Sequence, residues 1–184
     1  MTAEERLQPT ELFPEMATLD CGTCNFGDEV FENTMPTMRA FGARMLENHI
    51  KPEYECFEKG HLDTILTMAK KGQVPGHPMQ FNFVLGVPGC TPATVEDLVW
   101  LVKSIPAGST WTATGIGRHA FTLAAAAIAM GGNVRVGFED NLNLARGVPA
   151  RNNGELVAKV VRLAGELGRE IATPDEARAI LSLG

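Results

Sequence analysis

The segment KPEYECFE carries two carboxylates at a spacing that could support acid–base chemistry or metal binding. If these residues form a strand, side chains alternate, so Glu53 and Glu55 share one face while Tyr54 and Cys56 share the other. A buried carboxylate costs several kcal/mol unless it is paired, so two on one side of an apolar strand need an explanation. The pattern indicates either an exposed edge strand or a polar cavity at the mouth of a barrel.

The segment NVRVGFEDN adds a guanidinium to this set. The same alternation predicts that Arg135 and Glu139 face one interior, and it places Asp140 at the carboxyl end of the strand. Parallel α/β folds put their catalytic groups at that end. Together with Glu53 and Glu55, these side chains could hold a metal ion or tune a base. The alternative is a network of ion pairs that serves only the structure.

Two glycine-rich turns each follow an apolar strand and precede a helix. They are GVPGCTP, beginning at Gly86, and GIGR, ending at Arg118. Glycine lets backbone N–H groups approach a phosphate, and a helix N-terminus favours negative charge. The candidate phosphate-binding residues are Gly86, Gly89, Gly115, Gly117 and Arg118. Neither turn matches a P-loop or GxGxxG motif, so both could be ordinary turns. Of the histidines, only His119, beside Arg118, is a candidate for a position near a ligand; the alternative is an ordinary residue of the turn.

The cysteines give no metal or redox motif of their own. Cys21 and Cys24 form CGTC, whereas Cys56 and Cys90 stand apart. A structural zinc site would need a second ligand pair, and a thioredoxin-like motif would open a helix rather than follow the strand-like MATLD. We interpret all four as buried or loop thiols.

Short apolar segments alternate with longer amphipathic ones, which indicates βα units and a parallel sheet. The predicted strands are Met16–Cys21, Pro52–Phe57, Gln80–Val87, Thr110–Ile116 and Asn133–Phe138. The predicted helices are Pro36–His49, His61–Lys71, Thr91–Lys103, His119–Met130, Gly154–Leu167 and Thr173–Leu183. Five such units suit a doubly wound sheet or part of an eight-stranded barrel.

Composition bounds the class of protein. The chain has 184 residues with 45% hydrophobic content and a net charge of −6, which suits one domain over residues 1–184 and disfavours nucleic-acid or anionic-membrane binding. The longest apolar run, LAAAAIAM, is far shorter than the roughly 20 residues that span a bilayer. The N-terminus is acidic and polar, unlike a signal peptide, so we expect a cytoplasmic protein.

Taken in order, six motifs resemble those of the β-keto acid cleavage enzymes, also described as 3-keto-5-aminohexanoate cleavage enzymes. They are PEMATLDCGTCNFG, IKPEYECFEKGH, FNFVLGVPGCTPAT, WTATGIGRHAF, GGNVRVGFEDN and GREIATPDEARAIL. The resemblance covers essentially the whole chain. It implies a partial (β/α)8 TIM barrel made of strands four to eight with their helices, and a homo-oligomer.

The resemblance also implies a chemistry. Family members use a divalent metal, usually zinc, and acetyl-CoA to cleave a β-keto acid, giving acetoacetate and a new acyl-CoA. By resemblance, Glu139 is a metal ligand and Asp140 with Arg135 forms the dyad that deprotonates the substrate. Glu53 or Glu55 is then the active-site glutamate of the fifth barrel strand.

The family pattern contains features for which this sequence shows no counterpart. These are the first three βα units, with an HxH pair that supplies two metal ligands and a serine that contacts substrate. Because catalytic zinc needs about three protein ligands, we expect the isolated chain to bind zinc weakly and to lack cleavage activity. The competing hypotheses are a non-catalytic CoA-binding fragment and an unrelated doubly wound α/β domain.

Overall fold

A computed structural model describes residues 2–183; Met1 and Gly184, the ends of the predicted domain, lie outside the described residues. The main sheet has five parallel strands in the order β1-β4-β5-β6-β7. Their bounds are β1 Met16–Asp20, β4 Lys51–Cys56, β5 Gln80–Leu85, β6 Thr110–Gly115 and β7 Asn133–Arg135. Two antiparallel hairpins complete the strands: β2 Cys24–Phe26 with β3 Glu29–Phe31, and β8 Asn143–Ala145 with β9 Val148–Pro149.

Seven α-helices accompany these strands in the described part of the chain. They are α1 Ala3–Leu7, α2 Met35–Glu47, α3 Lys59–Lys70, α4 Val95–Ser104, α5 Ala120–Ala129, α6 Asn153–Glu166 and α7 Pro174–Leu181. Short 3₁₀ turns lie at Gln8–Leu12 and Gly117–His119. Among residues 2–183 we find no helix of the length and apolarity that a membrane crossing requires.

The order of the strands decides between the two fold hypotheses. Each new strand of the main sheet joins next to the preceding one, with no reversal of direction along the sheet. Because parallel crossovers are right-handed, an order without reversal keeps the connecting helices on one face. A doubly wound sheet has a switch point where the order reverses. The α/β fold is therefore a partial barrel, as predicted, and the doubly wound alternative is wrong.

The two faces of the sheet differ in chemistry, as strand alternation requires. The face under the helices carries apolar side chains such as Leu19, Tyr54, Phe81 and Phe83, all fully buried. Burying each of these side chains contributes roughly 1.5–3 kcal/mol. Residues on the opposite face are polar, and Asn82 and Thr114 are among those that are nonetheless fully buried. That polar face is the inner face of the partial barrel.

Local signals set the helix ends. The Thr173 side chain accepts a hydrogen bond from the N–H of Glu176 and Pro174 occupies the first turn of α7, as the predicted capping box requires. Helix α4 begins at Val95 rather than at Thr91, because Thr94 caps it by accepting from the N–H of Asp97.

Two hairpins, one helix and the end of one strand differ from the sequence prediction. Both hairpins and α1 were not predicted, since segments of two to five residues carry too little periodicity to identify. Strand β7 ends at Arg135 instead of Phe138. A turn replaces its last residues, with the N–H groups of Asp140 and Asn141 both donating to the carbonyl of Gly137.

The four cysteines are free thiols, and only Cys90 is not buried.

Candidate active site

The carboxyl ends of the main strands surround a cavity of about 620 Å³. Its polar lining includes Glu55 from β4, Arg135 from β7 and Asp140 from the turn that follows β7. Apolar lining comes from the β2–β3 hairpin and from the loop after β5, including Phe31 and Val87. A concave site with a few convergent charged groups among apolar walls is the usual form of a ligand site.

Arg135 joins two buried carboxylates. Its Nη2 and Nε donate to the two carboxylate oxygens of Asp140 at 2.9 and 3.3 Å, which is a bidentate pair. Its Nη1 donates to Oε2 of Glu55 at 3.3 Å. The side chains of Asp140 and Glu55 are 4% and 9% exposed, so the guanidinium supplies the charge that lets both carboxylates be buried.

Glu55 is held from its other side by an amide. Asn82 donates to Oε2 of Glu55 at 3.3 Å, and Thr114 donates to the amide oxygen of Asn82 at 2.8 Å. Burial raises the pKa of Glu55 from 4.5 to about 7, and Asp20, Glu53 and Glu139 add to that effect while Arg135 opposes it. A carboxyl with a pKa near neutral in a cleft is suited to accept and return a proton.

Asp140 owes its position to backbone contacts. The N–H of Asp140 donates to the carbonyl of Gly137, where the turn begins. The carbonyl of Asp140 accepts a hydrogen bond of 2.7 Å from the N–H of Gly117. The turn after β6 therefore fixes the residue that Arg135 contacts.

Glu53 and Glu55 share the inner face, but only Glu55 contacts Arg135. Glu53 lies closer to the amino ends of the strands, where Gln80 donates to it at 3.4 Å, and it lines a second cavity of about 350 Å³ beside α7. Burial raises the pKa of Glu53, with Gln80 and Arg135 opposing the effect. Of the two predicted glutamates, the geometry brings only Glu55 into the Arg135 cluster.

Glu139 does not lie where strand alternation placed it. Because β7 ends at Arg135, Glu139 belongs to the turn, and its side chain is 83% exposed at the rim of the cavity. Its Oε2 still lies 3.7 Å from Nη2 of Arg135. Among residues 2–183, no three His, Cys, Asp or Glu side chains are grouped closely enough to hold a metal ion. The described residues by themselves therefore do not fit a catalytic zinc site.

The glycine turns are occupied by contacts within the protein. The N–H of Gly86 donates to the carbonyl of Thr91, and the N–H of Gly117 to that of Asp140, so neither is free for phosphate. Gly89 has φ +94°, and a Cβ there would lie 2.7 Å from Cβ of Asn25 in β2. At Gly115, a Cβ would lie 2.9 Å from Cα of Ala120, so this glycine lets α5 begin close to the sheet.

Arg118 and His119 are neighbours in the 3₁₀ turn Gly117–His119, which follows β6. Nε of Arg118 donates to Nε2 of His119 at 3.2 Å, and Arg118 is exposed. Neither residue lines the cavity that contains Arg135.

Sequence reasoning missed three groups at this site. Asp20 ends β1 and lines the cavity, and its Oδ2 accepts from Nη2 of Arg6 at 3.0 Å. Burial raises the pKa of Asp20, and Arg6 opposes the effect. Asn82 was missed although its position on the inner face follows from strand alternation. Arg6 gave no signal, because it lies in the short helix α1.

The hydrogen bond from the amide of Asn82 is expected to oppose the rise in the pKa of Glu55 that burial causes. Replacing Asn82 with leucine removes a hydrogen bond to the carboxylate, so the pKa of Glu55 should rise above about 7. Carbon-13 NMR titration of the Glu55 carboxyl measures this directly. Asn48→Leu is the control, because the amide of Asn48 donates to the carbonyl of Thr10 and not to a carboxylate. An unchanged Glu55 titration in Asn82→Leu would contradict the assignment.

The raised pKa of Glu55 also predicts a pH-dependent stability. Between about pH 4.5 and 7 the folded chain keeps a proton on Glu55 that the unfolded chain releases, so the wild type loses stability as pH rises through this range. Relative to wild type, Glu55→Gln should gain up to about 3 kcal/mol between pH 5 and pH 8. Urea unfolding at the two pH values measures the gain. Glu166→Gln, at an exposed site on α6, should show no such trend.

Comparison with known proteins identifies relatives along the whole chain. Residues 1–183 match the family model described as beta-keto acid cleavage enzyme. A 3-keto-5-aminohexanoate cleavage enzyme of Fusobacterium nucleatum subsp. nucleatum is 61% identical over 184 residues, which are all of this chain and 66% of that protein. The enzyme of the same name from Acetoanaerobium sticklandii is 56% identical, with all of this chain and 67% of that protein covered.

More distant similarities extend these findings. A 3-dehydrocarnitine:acetyl-CoA trimethylamine transferase of Rhizobium meliloti is 38% identical, covering 94% of this chain and 58% of that protein. Among solved structures, the apo structure of ObcA superposes with a TM-score of 0.79 at 21% identity, covering 93% of this chain and 44% of that one. This likeness supports the fold. The chain spans about two thirds of the length of the two cleavage enzymes.

Proposed function

Because this chain belongs to the β-keto acid cleavage enzyme family, we propose that it carries part of an active site for acetyl-CoA-dependent cleavage of a β-keto acid, giving acetoacetate and a new acyl-CoA. The proposal rests on one observation. Arg135 bridges the buried carboxylates of Asp140 and Glu55 at the wall of a cavity of about 620 Å³. The reaction proposed for this cluster, β-keto acid cleavage, is inferred from family membership, which the six motifs and the family match support.

In this proposal Asp140 accepts the proton that the β-keto acid loses. Arg135 holds Asp140 through both carboxylate oxygens, which orients the carboxylate and leaves a positive charge beside the site where negative charge develops. Glu55, with a pKa of about 7, is a second group that can hold or return a proton at neutral pH.

The charge of the cavity favours a substrate that carries an amino group. Five carboxylates line it, whereas Arg135 is its one guanidinium among the lining residues; the carboxylates belong to Asp20, Glu29, Glu55, Glu139 and Asp140. An ammonium group would reduce their mutual repulsion. The names of the two most similar relatives reported above contain 3-keto-5-aminohexanoate, which is such a substrate. The name of the Rhizobium relative supports acetyl-CoA as cosubstrate.

Glu139 remains the predicted metal ligand, and we derive no step through a metal. One exposed carboxylate does not provide the roughly three ligands that catalytic zinc needs. We therefore expect the purified chain to contain much less than one zinc per molecule, as measured by atomic emission. Stoichiometric zinc in the chain alone would show that the assignment of Glu139 as one of several ligands is wrong.

The proposed function is tested with two proteins. One is the 184-residue chain, and the other is a chimaera that joins this chain to the part of the Fusobacterium nucleatum relative that the chain does not match. Each is mixed with 3-keto-5-aminohexanoate and acetyl-CoA, and acetoacetate is measured. We expect acetoacetate from the chimaera and none from the chain. Binding of CoA with no acetoacetate from either protein would favour the non-catalytic CoA-binding alternative.

The remaining expectations concern assembly and location. A homo-oligomer and a cytoplasmic location are still predictions. Light scattering of the purified chain and of the chimaera measures the first.

A further inference from the structure

Arg6 is a charged residue near the proposed active site that the proposed reaction does not use. It lies in α1, its side chain is 20% exposed, and it does not line the cavity that contains Arg135. Its Nη2 donates at 3.0 Å to Oδ2 of Asp20, which ends the edge strand β1 and does line that cavity. Any effect of Arg6 on the cavity must therefore pass through the residues that it contacts.

The same guanidinium is hydrogen-bonded to the segment that follows the β2–β3 hairpin. Nη2 of Arg6 donates to Oδ1 of Asn33 at 2.6 Å, and Nη1 donates to the carbonyl of Glu32 at 3.2 Å. Asn33 is buried, and it contacts the segment that precedes the hairpin. Its backbone N–H donates to Oγ1 of Thr23 at 2.8 Å, and its side-chain amide donates to the carbonyl of Gly22 at 3.3 Å. Arg6 and Asn33 together therefore join the end of β1 to both ends of the hairpin.

Aromatic contacts extend from Arg6 to the apolar lining of the cavity. Cζ of Arg6 lies 5.5 Å from the ring centre of Phe31 in β3 and 5.1 Å from that of Phe41 in α2, distances that allow cation–π attraction. The ring of Phe31 packs edge-on against those of Phe26 and Phe57, with ring centres 5.9 and 6.0 Å away. Phe26, Phe31 and Phe57 all line the cavity. Arg6 therefore contacts both an acidic and an aromatic part of the cavity lining.

The contacts of Arg6 require the shape of a guanidinium as well as its charge. Its terminal nitrogens donate to a carboxylate, a side-chain amide and a backbone carbonyl, which belong to Asp20, Asn33 and Glu32. A guanidinium is planar and directs its five N–H groups in fixed directions, whereas the lysine ammonium is a point charge on a flexible chain. Replacement of Arg6 by lysine therefore keeps the charge beside Asp20 and removes the planar group that bridges the three segments.

We infer that Arg6 is a positioning residue of the proposed active site, which fixes Asp20 and the β2–β3 hairpin in the places from which they line the cavity. The inference rests on the proposed function, because it assigns Arg6 to the same cavity. The hydrogen bonds that Arg135 makes to carboxylates go to Glu55 and Asp140. Because Asp20 is outside that cluster, loss of Arg6 should impair binding of the β-keto acid more than proton transfer.

Steady-state kinetics of the chimaera test the effect on the reaction. In Arg6→Ala we expect the KM for 3-keto-5-aminohexanoate to rise about tenfold, the usual loss for hydrogen bonds to a charged group, while kcat stays close to the wild-type value. Arg6→Lys should also have a raised KM, and it serves the same test if Arg6→Ala does not fold. The matched control is Arg178→Ala, which removes a half-exposed arginine that pairs with Glu15 at 2.9 Å, and it should leave KM unchanged.

Two measurements on the 184-residue chain test the positioning role without any need for activity. Carbon-13 NMR titration should show a higher pKa for Asp20 in Arg6→Ala, because Arg6 opposes the effect of burial on that carboxyl. Amide hydrogen exchange over residues 24–31 should become about tenfold faster, since the hairpin loses its contacts with α1. In Arg6→Lys the pKa of Asp20 should stay near the wild-type value, because the positive charge remains, whereas exchange of the hairpin should still be faster.

Two results would overturn the inference. One is hairpin exchange and an Asp20 titration that are both unchanged in Arg6→Ala. The other is a wild-type KM in an Arg6→Ala chimaera that makes acetoacetate, whatever happens to kcat. The proposed function fails separately, if the wild-type chimaera makes no acetoacetate. In that case the exchange and titration results from the 184-residue chain still decide for or against the positioning role of Arg6.

Discussion

Replacing Asp140 with asparagine is expected to lower the rate of acetoacetate formation by the chimaera about 100- to 10,000-fold. Asparagine has nearly the same shape, so the turn after β7 and the contact with Gly117 should persist. Its amide cannot accept a proton from the β-keto acid, and it offers Arg135 one oxygen instead of two. Steady-state rates with saturating acetyl-CoA measure the loss.

The matched control is Asp63→Asn, which removes an exposed carboxylate on α3 in the outer layer of helices. Its rate should stay within about twofold of wild type, in line with the small effects of surface substitutions. If Asp140→Asn retained the wild-type rate, Asp140 would not be the proton acceptor, and Glu55 would become the better candidate because its pKa is about 7.

Replacing Arg135 with alanine should produce the largest loss of stability. Asp140 and Glu55 would be left buried without their common positive partner, and removing one member of such a cluster costs about 3 kcal/mol or more. Urea unfolding of the 184-residue chain measures this cost. Because Arg135 opposes the rise in the pKa of Glu55, that pKa should increase further in the variant. The destabilisation should therefore be smaller near pH 5 than near pH 8.

Two further variants separate charge from packing. Adding Glu55→Gln to Arg135→Ala removes one of the unpaired carboxylates and should restore part of the stability, as a double-mutant cycle would show. Arg39→Ala, on the exposed surface of α2, should change stability by no more than about 0.5 kcal/mol. A cost in Arg135→Ala that is independent of pH would mean that Arg135 acts through packing alone.

Together the two variants distinguish the roles assigned to this cluster. Asp140→Asn should reduce the rate and cost less stability than Arg135→Ala, since its shape and one of the two oxygens that Arg135 contacts remain. Arg135→Ala should reduce both, since Arg135 is needed for the geometry and for the charge balance.

The sequence by itself determined the fold class and the identity of the family. Strand alternation placed Glu53 and Glu55 on one face and Tyr54 and Cys56 on the other, because the period of a strand is two whatever lies around it. The βα alternation predicted parallel strands, because a helix between two strands returns the chain to the same end of the sheet. These inferences succeeded because they depend on neighbours along the chain.

Tertiary structure decided which of the candidate residues meet. Arg135 and Glu55 are 80 residues apart in the sequence, and only the order of the sheet brings them within hydrogen-bonding distance. The pKa of Glu55 depends on its burial and on four other charged groups, none of which a local pattern specifies. The turn at Gly137 ended β7 early and turned Glu139 to the surface, because backbone hydrogen bonds there replaced the strand that apolar alternation predicted.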